Sequence, residues 1–262
     1  MRTFNRRYFW PATLLATTLL VVIPLLANAS NVSEVRKLEG FTAVELASSS
    51  DVKINEGDNF EVKVTGPAEL LAQAKTAVRA KTLAISFQRK GWFGNDDSEY
   101  LQFEITMPRI EGIYSIGAGD IAVGPLQTGE LSVGIEGSGN IDMDSAEVQA
   151  LRLSAVGSGD IGINKARASL LQLSTAGSGD IGIRQLQATE AMATLSGSGN
   201  IEVSGKVKRQ TINITGSGDF QGRELNAEIA GGSVSGSGNI EMGKVKQPSF
   251  QQTGNGKISL AD

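Results

Sequence analysis

From residue 121 onward, apolar and polar residues alternate in short runs. Ile141 and Met143, Ile161 and Ile163, Ile181 and Ile183, and Ile201 and Val203 alternate in this way, as do Leu131, Val133 and Ile135 and then Leu151, Leu153 and Ala155. A period of two sends successive side chains to opposite faces of a strand, so these runs predict β-strands and not helices. Between the runs stands one recurring unit, Gly-small-Gly-Asp/Asn-apolar. Its copies begin at Gly117, Gly137, Gly157, Gly177, Gly197, Gly216 and Gly236, with a degenerate last copy at Gly254. Their acid or amide members are Asp120, Asn140, Asp160, Asp180, Asn200, Asp219 and Asn239. Successive first glycines are 20, 20, 20, 20, 19, 20 and 18 residues apart, and a period this constant marks a repeat architecture.

Two geometries hold such a repeat. In a meander each repeat is an antiparallel hairpin; in a β-helix each repeat is one coil, and equivalent residues stack. The constant interval and identical turn favour stacking. The expected fold is therefore all-β, a single-stranded right-handed parallel β-helix of about 20-residue coils with a short N-terminal strand and helix cap. Ile121, Ile141, Ile161, Ile181, Ile201, Phe220, Ile240 and Ile258 should form one internal ladder. Leu126, Ala146, Ala166, Leu186 and Leu225 should mark a third short segment. The turn glycines are expected to supply positive φ, and each Asp or Asn to bond nearby backbone N–H groups.

Residues 30–110 read as a cap with the first coils, and 111–262 as the repeat region. Ser48-Ser49-Ser50-Asp51, flanked by Val44-Glu45-Leu46 and Val52-Lys53-Ile54, is a degenerate copy of the turn, so coiling should begin near residue 40. Residues 60–64, 83–87 and 101–105 alternate as strands. Leu70, Leu71, Ala74 and Val78 recur at helical spacing behind Pro67, which predicts a short helix or helical turn within 67–81.

The first 29 residues read as a signal peptide. Arg2, Arg6 and Arg7 precede an uncharged apolar run, and Ala27-Asn28-Ala29 supplies the small residues before a cleavage point. The paired arginines also resemble a twin-arginine export signal. Removing this segment takes three of 24 basic residues and none of 28 acidic ones, leaving 21 against 28 and a net charge of −7. That balance disfavours nucleic acid and anionic lipid. The chain has neither His nor Cys, which removes disulfides, thiolate chemistry and the commonest general base and metal ligand. No cofactor is indicated, and no membrane span is expected in the mature chain.

A Phe-x-x-Val strand (Phe41 to Val44), the Ser49-Ser50-Asp51-Val52 turn, a Leu-x-Ile strand and the serial Gly-Ser-Gly-Asp-Ile repeats together resemble the bacterial head GIN domain family, whose members are labelled autotransporter adhesins. The resemblance covers about residues 38–262. It implies a β-helix in an exported protein without established catalytic residues. The reading taken is an exported module that meets an unidentified protein or glycan at the cell surface or in the envelope, in the periplasm, at the outer surface or outside the cell. No C-terminal β-barrel segment of an autotransporter is recognised.

Three candidate sites follow. The Asp/Asn ladder offers oxygen ligands, as calcium β-rolls do, but those use a nonapeptide with Asp two residues after a Gly; here the period is about 20 and Asp follows Gly directly. Turn structure is the reading taken, with no metal. The second site is a face of small outward residues, Ser132, Ser154, Ser174, Thr194, Asn213 and Ser233, of which Ser154, Ser174 and Thr194 are the proposed partner contacts. The third is the loop with adjacent Trp92 and Phe93, suited to stacking on sugar or entering a protein groove. Asp142, Asp144, Arg184, Glu202 and Arg223 are the residues a polysaccharide-acting enzyme would use, and they read as scattered. Binding is favoured over an envelope scaffold that self-associates through its terminal coils, and over an enzyme.

Overall fold

The architecture is that of a computed structural model in which residues 31–88 and 101–261 are described. The repeats stack on one another in parallel. Strands β11 (Ile141–Ala155), β12 (Ile161–Thr175), β13 (Ile181–Leu195) and β14 (Ile201–Ile214) pair one repeat apart, with Ile141 against Ile161, Ile181 and Ile201 in turn. The chain is thus a parallel β-solenoid and not a meander. Within a coil the pairing falls into three straight runs, such as 161–163, 165–168 and 170–175, which form a post-turn, a middle and a pre-turn face. Corners at Asn164 and Ser169 separate them, and the turn at 176–180 closes the coil.

Alternation sets the core. Ile161, Ile163, Ala166, Ala168, Leu171, Leu173 and Thr175 point inward and are buried, while their neighbours face out. Each coil alone exposes this apolar stripe; stacking removes it from water. The isoleucine ladder forms as expected and extends through Val52 to Phe103. Gln210, only 2% exposed, sits between Ala191 and Ala230, whose small side chains leave it room. The 19-residue coil loses its residue at a corner: Gly205 takes the position of Leu186 after one intervening residue instead of two. Gly205 meets this tighter corner with φ +133°, and a Cβ there would lie 2.2 Å from the Leu186 carbonyl oxygen.

The turn glycines correct the expectation of positive φ. Among the described glycines only Gly40, Gly205 and Gly232 have it. What the turns need is absence of a side chain between coils. A Cβ on Gly159 would stand 2.0 Å from the carbonyl oxygen of Gly139, and one on Gly179 would stand 2.1 Å from that of Gly159. Backbone N–H groups reach across this gap, as Ser158 N–H does to Gly137 O at 3.0 Å. The middle residue, Ser158, points to solvent.

The first coil comprises β2 (Ala43–Ala47) and β3 (Asp51–Glu56), joined by the Ser48–Asp51 turn. Gly117 and Gly119 of a later coil rest on the Ser48 and Ser50 carbonyls, so the degenerate turn belongs to the stack. Chain order and stacking order differ here. β6 (Thr82–Phe87) and β7 (Gln102–Met107) lie on one side of the first coil, and β8 (Gly112–Ser115) and β9 (Ile121–Val123) on the other. The outer end is closed by antiparallel strands. β1 (Asn31–Arg36) pairs with β4 (Glu61–Pro67), β4 with β7, and β5 (Ala74–Arg79) with β6. Turning the pairing antiparallel ends the parallel stack and covers its edge.

The helix expected within 67–81 is confined to α1 (Ala68–Leu71); from Ala74 the chain is strand. The guanidinium of Arg36 stops the helix by donating to Leu71 O at 2.9 Å and Ala74 O at 2.8 Å. Ala74, Thr76 and Val78 also fit a period of two, and pairing with β6 selects that reading over the helical one. The β5–β6 hairpin turns through Ala80 and Lys81 at φ 46° and 65°, a left-handed pair without the usual Asn-Gly.

Two stability predictions follow. Replacing Ala80 by Asn and Lys81 by Gly should raise the unfolding free energy by about 1–2 kcal/mol, because left-handed backbone costs ordinary L-residues about that much. An unchanged or lower denaturation midpoint would refute the account of this turn. Gly159→Ala should destabilise by about 1–3 kcal/mol through overpacking against a backbone carbonyl, while Ser158→Ala stays within about 0.5 kcal/mol; equal midpoints for the two variants would contradict it.

Candidate functional site

The Asp/Asn ladder forms, but not as turns closing on themselves. Each side chain reaches across to the next coil. Oδ1 of Asp120 accepts the Asn140 N–H at 2.8 Å, Oδ1 of Asn140 accepts Asp160 N–H at 3.0 Å, and Oδ1 of Asp160 accepts Asp180 N–H at 2.8 Å. The series continues through Asn200, Asp219 and Asn239 to the Lys257 N–H, and begins at Asp51, whose Oδ1 takes the Asp120 N–H at 3.4 Å. These corner amides point away from the backbone carbonyls of the neighbouring coil, and the side chain supplies their acceptor. Where Asn follows Asp it also donates its Nδ2–H to the carboxylate, as Asn140, Asn200 and Asn239 do at 3.0–3.2 Å. One oxygen of every ladder residue is therefore committed to backbone. Among the described residues no three carboxylates converge as metal ligands.

Beside this ladder the post-turn face opens into a trench of about 710 Å³. Its outward row runs Asp142, Gly162, Gly182, Glu202 in register. The two glycines leave a floor of bare backbone two coils wide, with a carboxylate at each end. Asp160 and Asp180 border one side, and Asn164, Arg184 and Ser204 the other. Asp142 leans over the floor, so that a Cβ on Gly162 would stand 2.7 Å from its Oδ1. At Gly182 a Cβ would meet nothing within 4 Å, and φ is not positive. Packing does not require that glycine. Glycine inside a strand forfeits stability, and such positions often mark where a ligand approaches closely.

Asp142, Arg184 and Glu202, read as scattered, thus border one trench. Asp144 stands at the adjoining corner, outside its lining. Arg223 belongs to the next cavity along, where it forks onto Glu241 with Nε to Oε2 at 2.5 Å and Nη2 to Oε1 at 3.0 Å. These hydrogen bonds hold the Glu241 carboxyl below the usual carboxylate range. Acid–base hydrolysis of a glycoside needs two carboxyls about 5–9.5 Å apart. Asp142 and Glu202, three coil steps apart, are separated by about 14 Å. Asp160 and Asp180 are one step apart, but each already holds a backbone amide.

A sequence model described as "Putative auto-transporter adhesin, head GIN domain" matches residues 40–203 and again 162–261. The chain belongs to the head GIN domain family. No curated protein matches it in sequence. Solved structures share the fold of this chain. A putative adhesin from Parabacteroides distasonis ATCC 8503 superposes with TM-score 0.79 at 20% identity, over 89% of this chain and 98% of the other. A putative adhesin from Parabacteroides merdae ATCC 43184 gives 0.77 at 19% identity, over 90% and 98%. A putative lipid binding protein from P. distasonis gives 0.67 at 21%, again over 90% and 98%. At such identities the likeness establishes the fold alone, and a fold does not by itself dictate a ligand.

On the head GIN scaffold the small-residue face lies where alternation put it. Ser154, Ser174, Thr194, Asn213 and Ser233 form one half-buried row on the pre-turn face. Ser132 is out of step: it pairs with Arg152, and Gly134 pairs with Ser154. The adjoining hydroxyls of Ser196 and Ser235 bond back to carbonyls of the preceding coil at 3.2 and 3.4 Å, a structural use of these side chains. Trp92, Phe93 and residues 1–29, read above as a signal peptide, lie outside the described residues. The trench floor escaped the reading of the sequence, although its mark is present. Two copies read Ile-Gly-Ile after the turn, at 161–163 and 181–183, where their neighbours read Ile-Asp-Met and Ile-Glu-Val.

The ladder predicts a sharp contrast at Asp180. Asp180→Asn keeps Oδ1 as the acceptor for Asn200 N–H and should leave stability within about 0.5 kcal/mol, whereas Asp180→Leu should cost about 1–2 kcal/mol. Denaturant titration compares the two. A large loss with Asn, or none with Leu, would remove the side-chain-to-backbone bond as the reason for Asp or Asn here.

Proposed function

We propose that the chain is an exported, non-catalytic binding module of the adhesin kind, which holds a hydroxyl-rich, uncharged glycan of a cell surface or envelope in the trench floored by Gly162 and Gly182. Its family supports an adhesin-like role and a surface or envelope location. The leader read at residues 1–29 supports export. Among the described residues no helix is long and apolar enough to cross a membrane.

The observation that carries the reading is Gly182. Its neighbours in the row are Gly162 and Glu202, the space above it is open, and a valine there would improve the strand. A bare floor lets a sugar ring approach the backbone. Carboxylates at the ends and along one side accept hydrogen bonds from hydroxyl groups, and Arg184 donates from the other side. Polar groups converging on a recess are the usual means of fixing a small ligand's orientation.

A panel of uncharged envelope and host glycans tests this. The unaltered protein should retain at least one, and Gly182→Val should weaken that binding about tenfold or more while unfolding at the same or a higher temperature. Retained affinity in Gly182→Val, or no uncharged glycan bound at all, would defeat the trench as the binding site.

A further inference from the structure

A second recess runs along the solenoid where the middle face meets its far corner. Alternation makes it: the residue between two outward side chains points inward, and stacking draws these gaps into one groove. Two cavities of about 620 and 350 Å³ share Gln187 and Ala188 and so are continuous. The floor is the row Thr128, Val148, Ala168, Ala188, Val207 and Ala227. From Thr128 to Ala227 this is five coil steps, about 24 Å.

The walls are not uniform. Toward the C-terminal half they carry Lys206 and Lys244 on one side and Lys208 and Lys246 on the other. All four are exposed, and none makes an ion pair among the described residues. Glu228 stands between Lys208 and Lys246 on one wall, and Glu147 lies beside Arg167 toward the other end, so four lysines against one acid leave this half of the groove net positive in a chain with more acids than bases. On each wall the lysines stand two coil steps apart, about 10 Å. Toward the other end, Gln127, Gln149 and Gln187 offer amides.

We infer that this groove binds an extended anionic polysaccharide lying parallel to the solenoid axis. The short side chains of the floor leave room between the two walls for a polysaccharide chain. The lysine rows suit a polymer bearing one acidic group about every 10 Å, and the amides suit its hydroxyls. Other polymers fit less well. A peptide along the axis would cross the strands at right angles, and the coil edges it would need for strand addition are already paired. Single-stranded nucleic acid binds by stacking on aromatic side chains, and no aromatic lines the groove. A bilayer cannot reach Val207 and Ala227, which are only 4% and 5% exposed below the lysines, and no apolar side chain among the lining residues projects into it.

The groove is distinct from the trench, so the two fail separately. The experiment measures binding of the purified protein to hyaluronate, with one carboxylate per disaccharide, to an uncharged glycan of similar length, and to phosphatidylglycerol vesicles. Hyaluronate should bind in low salt and weaken as salt rises. Lys206→Glu with Lys244→Glu should reduce this binding about tenfold or more. Lys206→Arg with Lys244→Arg should retain it, and Lys53→Glu on the post-turn face should leave it unchanged. Gly182→Val should also leave it unchanged, even where that variant loses an uncharged glycan. Absent hyaluronate binding, binding to vesicles alone, or equal binding by the charge-reversed variant would overturn the proposal.

Discussion

The structure depends on how closely the turn backbones approach one another. Carbonyl oxygens of one coil lie about where a Cβ on the next would have to be, as between Gly139 and Gly159. Only glycine permits that approach, and it brings N–H groups such as that of Ser158 within bonding distance of the coil beneath. Because the contact is backbone on backbone, it repeats with little tolerance. The coil step is then the same at the turn as along the strands, and side chains fall into straight rows. The isoleucine ladder inside, the trench and the groove outside all inherit that period.

Stacking at this distance creates an electrostatic problem at the Asp/Asn corner, where like charges about 4.8 Å apart repel by about 3–4 kcal/mol at an effective dielectric near 20. The ladder answers it in two ways. Each carboxylate takes a backbone N–H from the next coil, a charge-assisted bond, and three of the acids also receive an Asn Nδ2–H. Only Asp51 with Asp120, and Asp160 with Asp180, stand as adjacent acids in the ladder, and the N–H of Asp120 or Asp180 bonds the acid beneath it. The same bonds leave the ladder poorly disposed to gather a cation.

What was legible in the sequence was whatever repeats. Period-two runs and a constant interval predicted strands, stacking and the internal ladder, and the structure has them. Features arising once were harder to see. The β5–β6 hairpin turns at Ala80 and Lys81, residues with no turn signature, and its strand shares Ala74 and Val78 with an equally good helical pattern. The inverted order of the first coils depends on long-range pairing of β2 with β6 and β8, which no local pattern announces. The glycine turns were read correctly as turns but for the wrong cause, since a sequence does not distinguish a glycine needed for φ from one needed for clearance. The trench is hard to see in the sequence because its floor is defined by side chains missing at Gly162 and Gly182.

That distinction bears on how such a fold acquires a ligand. A solenoid separates its tasks by alternation: inward positions and turns carry stability, and every outward row is free to vary. Asp142 and Glu202 are each fixed to their own coil and remain about 14 Å apart by stacking. Rows at fixed spacing suit ligands that are themselves periodic, and suit binding over chemistry that needs two groups converging on one atom. In this chain the two outer recesses differ in sign. The trench sets Asp142, Asp160, Asp180 and Glu202 against Arg184, and the groove sets Lys206, Lys208, Lys244 and Lys246 against Glu228, with one corner of the coil between the two faces. Segregation of this kind contributes nothing to a core that is already complete, and it is the arrangement expected of a surface built to engage polymers from more than one side.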